Sequence, residues 1–180
     1  MAAYLPADAH RALDLGSGGG VPGLVLAEAR PELSWVLLDA GRRRCRFLRE
    51  AVAELGLTGQ VEVVDDRAES AARRPELRDQ MDVVVARSFG PPPVTAECAV
   101  GFLRLGGRLV VSEPPEAGKP SGTSPNGDRW PEDGLETLGL TRPRHGGGSG
   151  GSFAWFEKDR VDERWPRRVG VPAKRPLWKS

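Results

Sequence analysis

The sequence predicts an α/β fold, a doubly wound and mostly parallel sheet that ends in a C-terminal antiparallel strand pair. Three observations predict it. Short apolar runs alternate with helical patterns through the first 113 residues. The first run stops at a glycine-rich turn that opens a helix. Beyond residue 113 the alternation lapses, and two late segments resemble paired strands around a glycine run.

Each element follows from local chemistry. Arg11 to Leu15 is a short apolar run halted by Gly16, as a buried strand would be. Val21 to Arg30 has helical content and ends before Pro31. Ser34 to Asp39 is rich in β-formers and predicts the second strand. Arg42 to Leu55 carries Cys45, Leu48, Val52 and Leu55 at three- and four-residue spacing, which predicts an amphipathic helix stopped near Gly56. Val61 to Val64 predicts a third strand, Ala68 to Arg74 a short helix and Met81 to Ala86 a fourth strand. Val94 to Leu103 reads as a helix ended by Gly106-Gly107, and Arg108 to Ser112 as the fifth strand. From 114 to 134 five prolines and little apolar content predict a loop or lid. Leu135 to Thr141 and Ser152 to Lys158 predict the closing strand pair, with Gly146 to Gly151 at its tip.

Length and composition bound the function. The 180 residues match a single domain spanning 1–180. No run approaches 18 apolar residues, so no membrane span is expected. Residues 1–10 lack the basic and apolar regions of a secretory signal, and a cytoplasmic location is expected. Cys45 and Cys98 alone build neither a disulfide framework nor a zinc site. His10 and His145 stand apart and read as solvated, with no nucleophile constellation around them. The net charge of +1 conceals segregation. Arg42, Arg43, Arg44, Arg46 and Arg49 share one helix. The tail from Arg160 carries seven Lys or Arg against two acids, with Trp165 and Trp178 among them. Glu113, Glu116, Asp128, Glu132, Asp133 and Glu136 collect in and beside the Pro-rich segment.

The first turn carries the chemistry. Asp14-Leu15-Gly16-Ser17-Gly18-Gly19-Gly20 is a D-x-G-x-G-x-G run between strand and helix. Its glycines allow a tight turn and close approach of a ligand to backbone N–H groups. Asp39 ends the second strand, 19 residues past Gly20, where a carboxylate can accept from both hydroxyls of a ribose. The plainer reading of Asp39 is a helix cap. Asp66-Arg67-Ala68-Glu69, after the third strand, is placed to read an adenine edge, or else is a solvated helix start.

The run LDLGSGGGVPGLVLAEARPELSWVLLDAGRRRCRFLREAVAELGL resembles the core of the glucose-inhibited division protein B family. VEVVDDRAES, MDVVVARSF and FLRLGGRLVV extend the resemblance, and RWPRRVGVPAKRPLW returns to it. It covers roughly 11–113 and 160–178. The VPG after the turn, the RxRFLRE helix and the PRRxGxPAKxPL tail are more specific than the glycine turn alone. The resemblance implies a Rossmann-like class I methyltransferase that uses S-adenosylmethionine on guanine N7 of 16S ribosomal RNA. It implies Gly16, Ser17, Gly18 and Val21 at the methionine-binding turn, and Asp14 and Gly20 of the same run are expected among the cofactor-binding residues. It implies Asp39 at the ribose and Ala68 and Glu69 beside the adenine, and the neighbouring Ala40 and Arg67 are expected among the cofactor-binding residues. Arg87, directly after the fourth strand, is implied at both cofactor and substrate, as the catalytic residue. No metal is implied.

The implied partners are 16S ribosomal RNA or the small ribosomal subunit; no membrane partner is expected, and the sequence leaves the oligomeric state open, with a monomer favoured. Three departures bear on substrate. Only about ten residues precede the first strand, Ser112-Glu113-Pro114-Pro115 stands where the family usually has Lys-Gly, and the Pro-rich segment has no evident counterpart. A small-molecule methyltransferase of the same fold and a catalytically silent cofactor-binding homologue remain alternatives.

Overall fold

The computed structural model describes residues 1–114, 129–148 and 151–179. A seven-stranded sheet organises them, in the order β3-β2-β1-β4-β5-β7-β6. Its strands are β1 (Arg11–Leu15), β2 (Ser34–Asp39), β3 (Val61–Asp65), β4 (Met81–Ala86), β5 (Leu103–Glu113), β6 (Arg144–Gly148) and β7 (Gly151–Glu157). The first five run parallel, and β7 pairs antiparallel with β5 and β6.

Both faces of the sheet are covered, which explains why β1, β2 and β4 are nearly continuous apolar runs. On one face α1 (Gly23–Ala29) and α2 (Arg42–Glu54) bury Leu24, Leu26, Leu48 and Val52 against Ala12, Trp35, Leu37 and Val85. On the other, α3 (Ala68–Ala71), α4 (Pro92–Val100) and α5 (Glu132–Leu138) pack on Leu13, Leu15, Val84 and Leu109. In α2, Cys45, Leu48 and Val52 are buried as their spacing predicts, but Leu55 lies just past the helix and is exposed.

Three elements differ from expectation. Leu135 to Thr141 is not a strand. Pro131 starts α5, Glu132 and Asp133 favour the positive helix start, and Gly139 closes it at φ 70°. The strand pair is instead β6 with β7, and Leu140 makes only an isolated bridge to Lys158. The fifth strand begins at Leu103, not Arg108, and runs through Gly106-Gly107. Its register against β4 shifts between Met81 and Val83. A Cβ on Gly107 would come within 2.8 Å of the Met81 carbonyl, so these glycines serve a bulge and not a helix end. The helix before it starts at Pro92 and ends at Val100. Most of the expected lid, 115–128, lies outside the described residues, as do 149–150.

A last short helix, α6 (Val171–Lys174), belongs to a tail folded back onto the body. Glu97 of α4 is fully buried because Arg167 of the tail meets it with two nitrogens, Nε at 2.8 Å and Nη2 at 2.6 Å. Trp165 is buried and its Nε1 donates to the Thr137 carbonyl. The tail explains why α4 is buried on nearly every side, Glu97 included: sheet, α5 and tail enclose it.

Candidate active site

The strand order reverses direction at β1, which lies between β2 and β4. Ligands bind outside the carboxyl ends of strands at such a switch point. Register then decides which residues meet there. Leu15 stands opposite Leu38 on β2 and Ala86 on β4, and Ala86 stands opposite Val111 on β5. The next residue of each strand therefore forms one row: Asp39, Gly16, Arg87 and Ser112.

Two adjoining compartments open along this row. The larger, about 670 Å³, is bounded by Gly16 to Gly19, Val21, Arg87, Thr95, Ser112 and Glu113, and by Arg129 and Trp130. The smaller, about 390 Å³, lies against Asp39, Ala40, Arg44 and the run Asp66 to Glu69. Gly16, Gly18, Ser88 and Phe89 bound both. Of these, Phe89 packs against the glycine turn. A Cβ on Gly16 would sit 2.5 Å from its ring, so glycine is required where the turn passes beneath the aromatic. Gly16 also has φ 74° and Gly18 φ 54°, a conformation that favours glycine. The N–H groups of Gly16 and Ser17 both donate to the Leu38 carbonyl, tying the turn to β2.

Asp39 is the polar centre of the smaller compartment. Its Oδ2 accepts from the Gly18 N–H at 3.0 Å, and its Oδ1 from the Gly41 N–H at 2.7 Å and Arg44 Nε at 2.8 Å. Burial pushes its carboxyl up, but the bonds from Arg44, Gly41 and Gly18 outweigh burial and hold it below the usual range. A carboxylate offers about four acceptor sites, so Oδ2 keeps capacity for one more donor. A second would require the exposed Arg44 to swing away.

Asp14 and Gly20 do not border either compartment. Asp14 lies beneath the turn, where its Oδ2 accepts from the Gly23 N–H at 3.0 Å. Its Oδ1 is buried and has no partner among the described residues. Burial pushes its pKa up to about 7, against the opposing pull of the Gly23 N–H and Arg87. A Cβ on Gly20 would strike Leu24 at 2.4 Å, so this glycine is needed for packing under the turn. Glu69 borders the smaller compartment, but its Oε1 accepts from the Gly170 N–H of the tail at 2.8 Å and faces Arg67 at 3.6 Å. Arg87 is exposed and makes no hydrogen bond or ion pair among the described residues. Cys45 and Cys98 are buried away from both compartments. His10 and His145 are exposed, as expected.

The residues that sequence reasoning missed are Phe89, Glu113, Arg129 and Trp130. Phe89 stands two residues past Arg87, so its position at the strand's carboxyl end was an available signal. Nothing local pairs Glu113 with residues 16 and 17 positions later.

Comparison with known proteins decides the family. Residues 1–113 match the family model described as GidB, rRNA small subunit methyltransferase G. The chain belongs to this family. A relative from Deinococcus deserti, named ribosomal RNA small subunit methyltransferase G, is 38% identical over 95% of this chain and 70% of its own length. Among solved structures, the antibiotic-resistance methyltransferase Kmr superposes with a TM-score of 0.64 at 18% identity, covering 87% of this chain and 90% of its own. The O-methyltransferase TomG from Streptomyces achromogenes, solved in complex with SAM, superposes at 0.57 with 22% identity, covering 84% of this chain and 74% of its own. At these identities the likeness is one of fold. The rRNA small subunit methyltransferase G family thus sits here on a class I methyltransferase sheet, with its match ending where β5 ends.

Proposed function

We propose that this chain is a single-domain, cytoplasmic methyltransferase that uses S-adenosylmethionine to methylate N7 of a guanine in 16S ribosomal RNA. One observation carries the reading: at the switch point a smaller compartment around Asp39 adjoins a larger one around Arg87, the two sharing Gly16, Gly18, Ser88 and Phe89. When bound, S-adenosylmethionine supplies a methyl group on a sulfonium for in-line transfer to a nucleophile. The donor set fits it. Asp39 Oδ2 retains acceptor capacity for a ribose hydroxyl, Ala40 and Ala68 offer apolar walls to an adenine, and Gly16 to Gly18 admit a ligand close to the backbone.

Guanine N7 has a free lone pair and no proton to lose during attack. Positioning therefore dominates, and the absence of a histidine from the crevice walls is compatible with the chemistry. Arg87, without a hydrogen bond or ion pair among the described residues, holds the substrate side of the row. The tail presents Arg168, Lys174 and Arg175 as exposed cations next to Glu69 and α4, a surface suited to RNA phosphates.

Transfer of labelled methyl from S-adenosylmethionine to small ribosomal subunits lacking the modification tests the proposal. Label in a guanine of the 16S RNA is expected. Label only in small molecules, or none, would overturn it. Asp39→Ala should weaken S-adenosylmethionine binding about 10- to 100-fold, the loss of one or two hydrogen bonds to a charged group. Unchanged affinity in calorimetry would remove Asp39 from the site.

A further inference from the structure

The larger compartment contains a second arginine, and it is held in place. Glu113, the last residue of β5, has a fully buried side chain. Its Oε2 accepts from Arg129 Nε at 2.9 Å and its Oε1 from Trp130 Nε1 at 2.9 Å. The Arg129 carbonyl in turn accepts from Trp178 Nε1 at 3.0 Å, so the tail clamps the same residue. Arg129 keeps 31% of its side chain exposed and borders the larger compartment, as Arg87 does. Only its Nε is engaged. Its two terminal nitrogens make no hydrogen bond among the described residues.

We infer that Arg129 is a phosphate-binding residue for the RNA substrate, with Glu113 as its positioning residue. The inference rests on the ribosomal RNA reading above and names a contact within it. A buried carboxylate without a partner is costly, so Glu113 keeps Arg129 docked whether or not substrate is present. An arginine fixed by its Nε still presents a planar fork to an anion, and the fixed geometry reduces the ordering cost of binding.

The chemistry chooses phosphate over base. Arginine can read guanine through O6 and N7, but a donor on N7 would occupy the lone pair that must accept the methyl group. A cation on this wall is therefore productive against the sugar–phosphate backbone of the target nucleotide or its neighbour. Glu113 also offsets the charge of Arg129. Two uncompensated arginines, Arg87 and Arg129, would oppose a cationic cofactor in the adjoining space.

Binding of unmodified small subunits across a KCl series, with KM and kcat for methyl transfer, tests this. Three proteins are compared: wild type, Arg129→Gln, and Glu113→Gln with Arg129→Gln. The double variant removes the carboxylate that the single variant would orphan, so misfolding cannot mimic the result. Both variants should bind roughly 10-fold more weakly, as for loss of a charge-assisted hydrogen bond. Both should raise KM more than they lower kcat. The slope of log K against log salt should fall in magnitude by about 0.7 to 0.9, the value for one lost phosphate contact. A wild-type protein that methylates, with variants whose slope is unchanged, overturns the inference alone. A wild-type protein that transfers no methyl group to the subunit overturns the ribosomal RNA reading, and the inference with it.

Discussion

Asp14 marks the glycine-rich motif but borders neither compartment. The D-x-G-x-G-x-G run marks the turn, yet the aspartate serves the turn from below by accepting the Gly23 N–H. Its pKa near 7 has a consequence for stability. The folded state holds a proton that the unfolded chain releases at the ordinary carboxylate pKa. Stability therefore falls as pH rises from about 4 to about 7, by a total on the order of 4 kcal/mol at 1.36 kcal/mol per pKa unit. Asp14→Asn keeps an acceptor for Gly23 and removes the titration. Urea midpoints at pH 5 and pH 8 should differ less in this variant than in wild type, with the gain concentrated at pH 8. Equal pH dependence in the two proteins would show that Asp14 is not the titrating group. Asp39, Gly16 and Arg87 were legible as a set because each directly follows a strand or ends one, and parallel register brings those positions into a row. Glu113 and Arg129 were not, because their pairing crosses a segment whose sequence gives no spacing to reason from.

Elements were legible where both faces of the sheet impose burial. The apolar runs of β1, β2 and β4 and the stripe of α2 allowed one reading each. The failures occurred where two readings of glycine compete. Gly106-Gly107 resembled a helix stop but makes a bulge, because β5 must pass within contact of the Met81 carbonyl. Gly139 belonged to a helix that the β-rich look of Leu135 to Thr141 obscured. The opposite, amino end of the sheet depends on Asp82. Its Oδ2 accepts from the N–H groups of His10 at 2.8 Å and Arg11 at 2.7 Å, and its Oδ1 from Arg104 Nε at 2.6 Å. This ties the start of β1 to β4 and β5. Burial pushes Asp82 up, but Arg104 and the two amides outweigh it and hold it below the usual range. Its contribution is present above the ordinary carboxylate pKa and is lost as pH falls through the folded value. Asp82→Ala should destabilise by about 2 to 4 kcal/mol, since it orphans two amides and an arginine. The wild-type advantage in chemical denaturation should shrink towards pH 3. A variant within about 0.5 kcal/mol of wild type at pH 7, the range of an ordinary surface change, would refute the role.

At the scale of the whole molecule, the question is how the basic tail comes to lie beside the crevice. Two buried carboxylates hold it there. Glu97 takes the Arg167 guanidinium and its N–H, and Glu69, which borders the smaller compartment, takes the Gly170 N–H. The tail motif and the α3 motif are about 100 residues apart in sequence, yet they meet through Glu69. The same carboxylate expected at the adenine is thus also an anchor for the surface that presents Arg168, Lys174 and Arg175. Glu97 tests this separately, because it borders neither compartment. Glu97→Ala leaves Arg167 without its buried partner and should cost about 3 to 5 kcal/mol. The loss should be local before it is global. Trypsin should cut wild type slowly after Arg167, which is half-buried, and cut Glu97→Ala there quickly while 1–113 stays intact. If the tail also carries RNA phosphates, the variant should lose affinity for small ribosomal subunits while binding S-adenosylmethionine as wild type does. Parallel loss of both affinities would mean that the tail supports the cofactor site through Glu69 and is not an independent RNA surface.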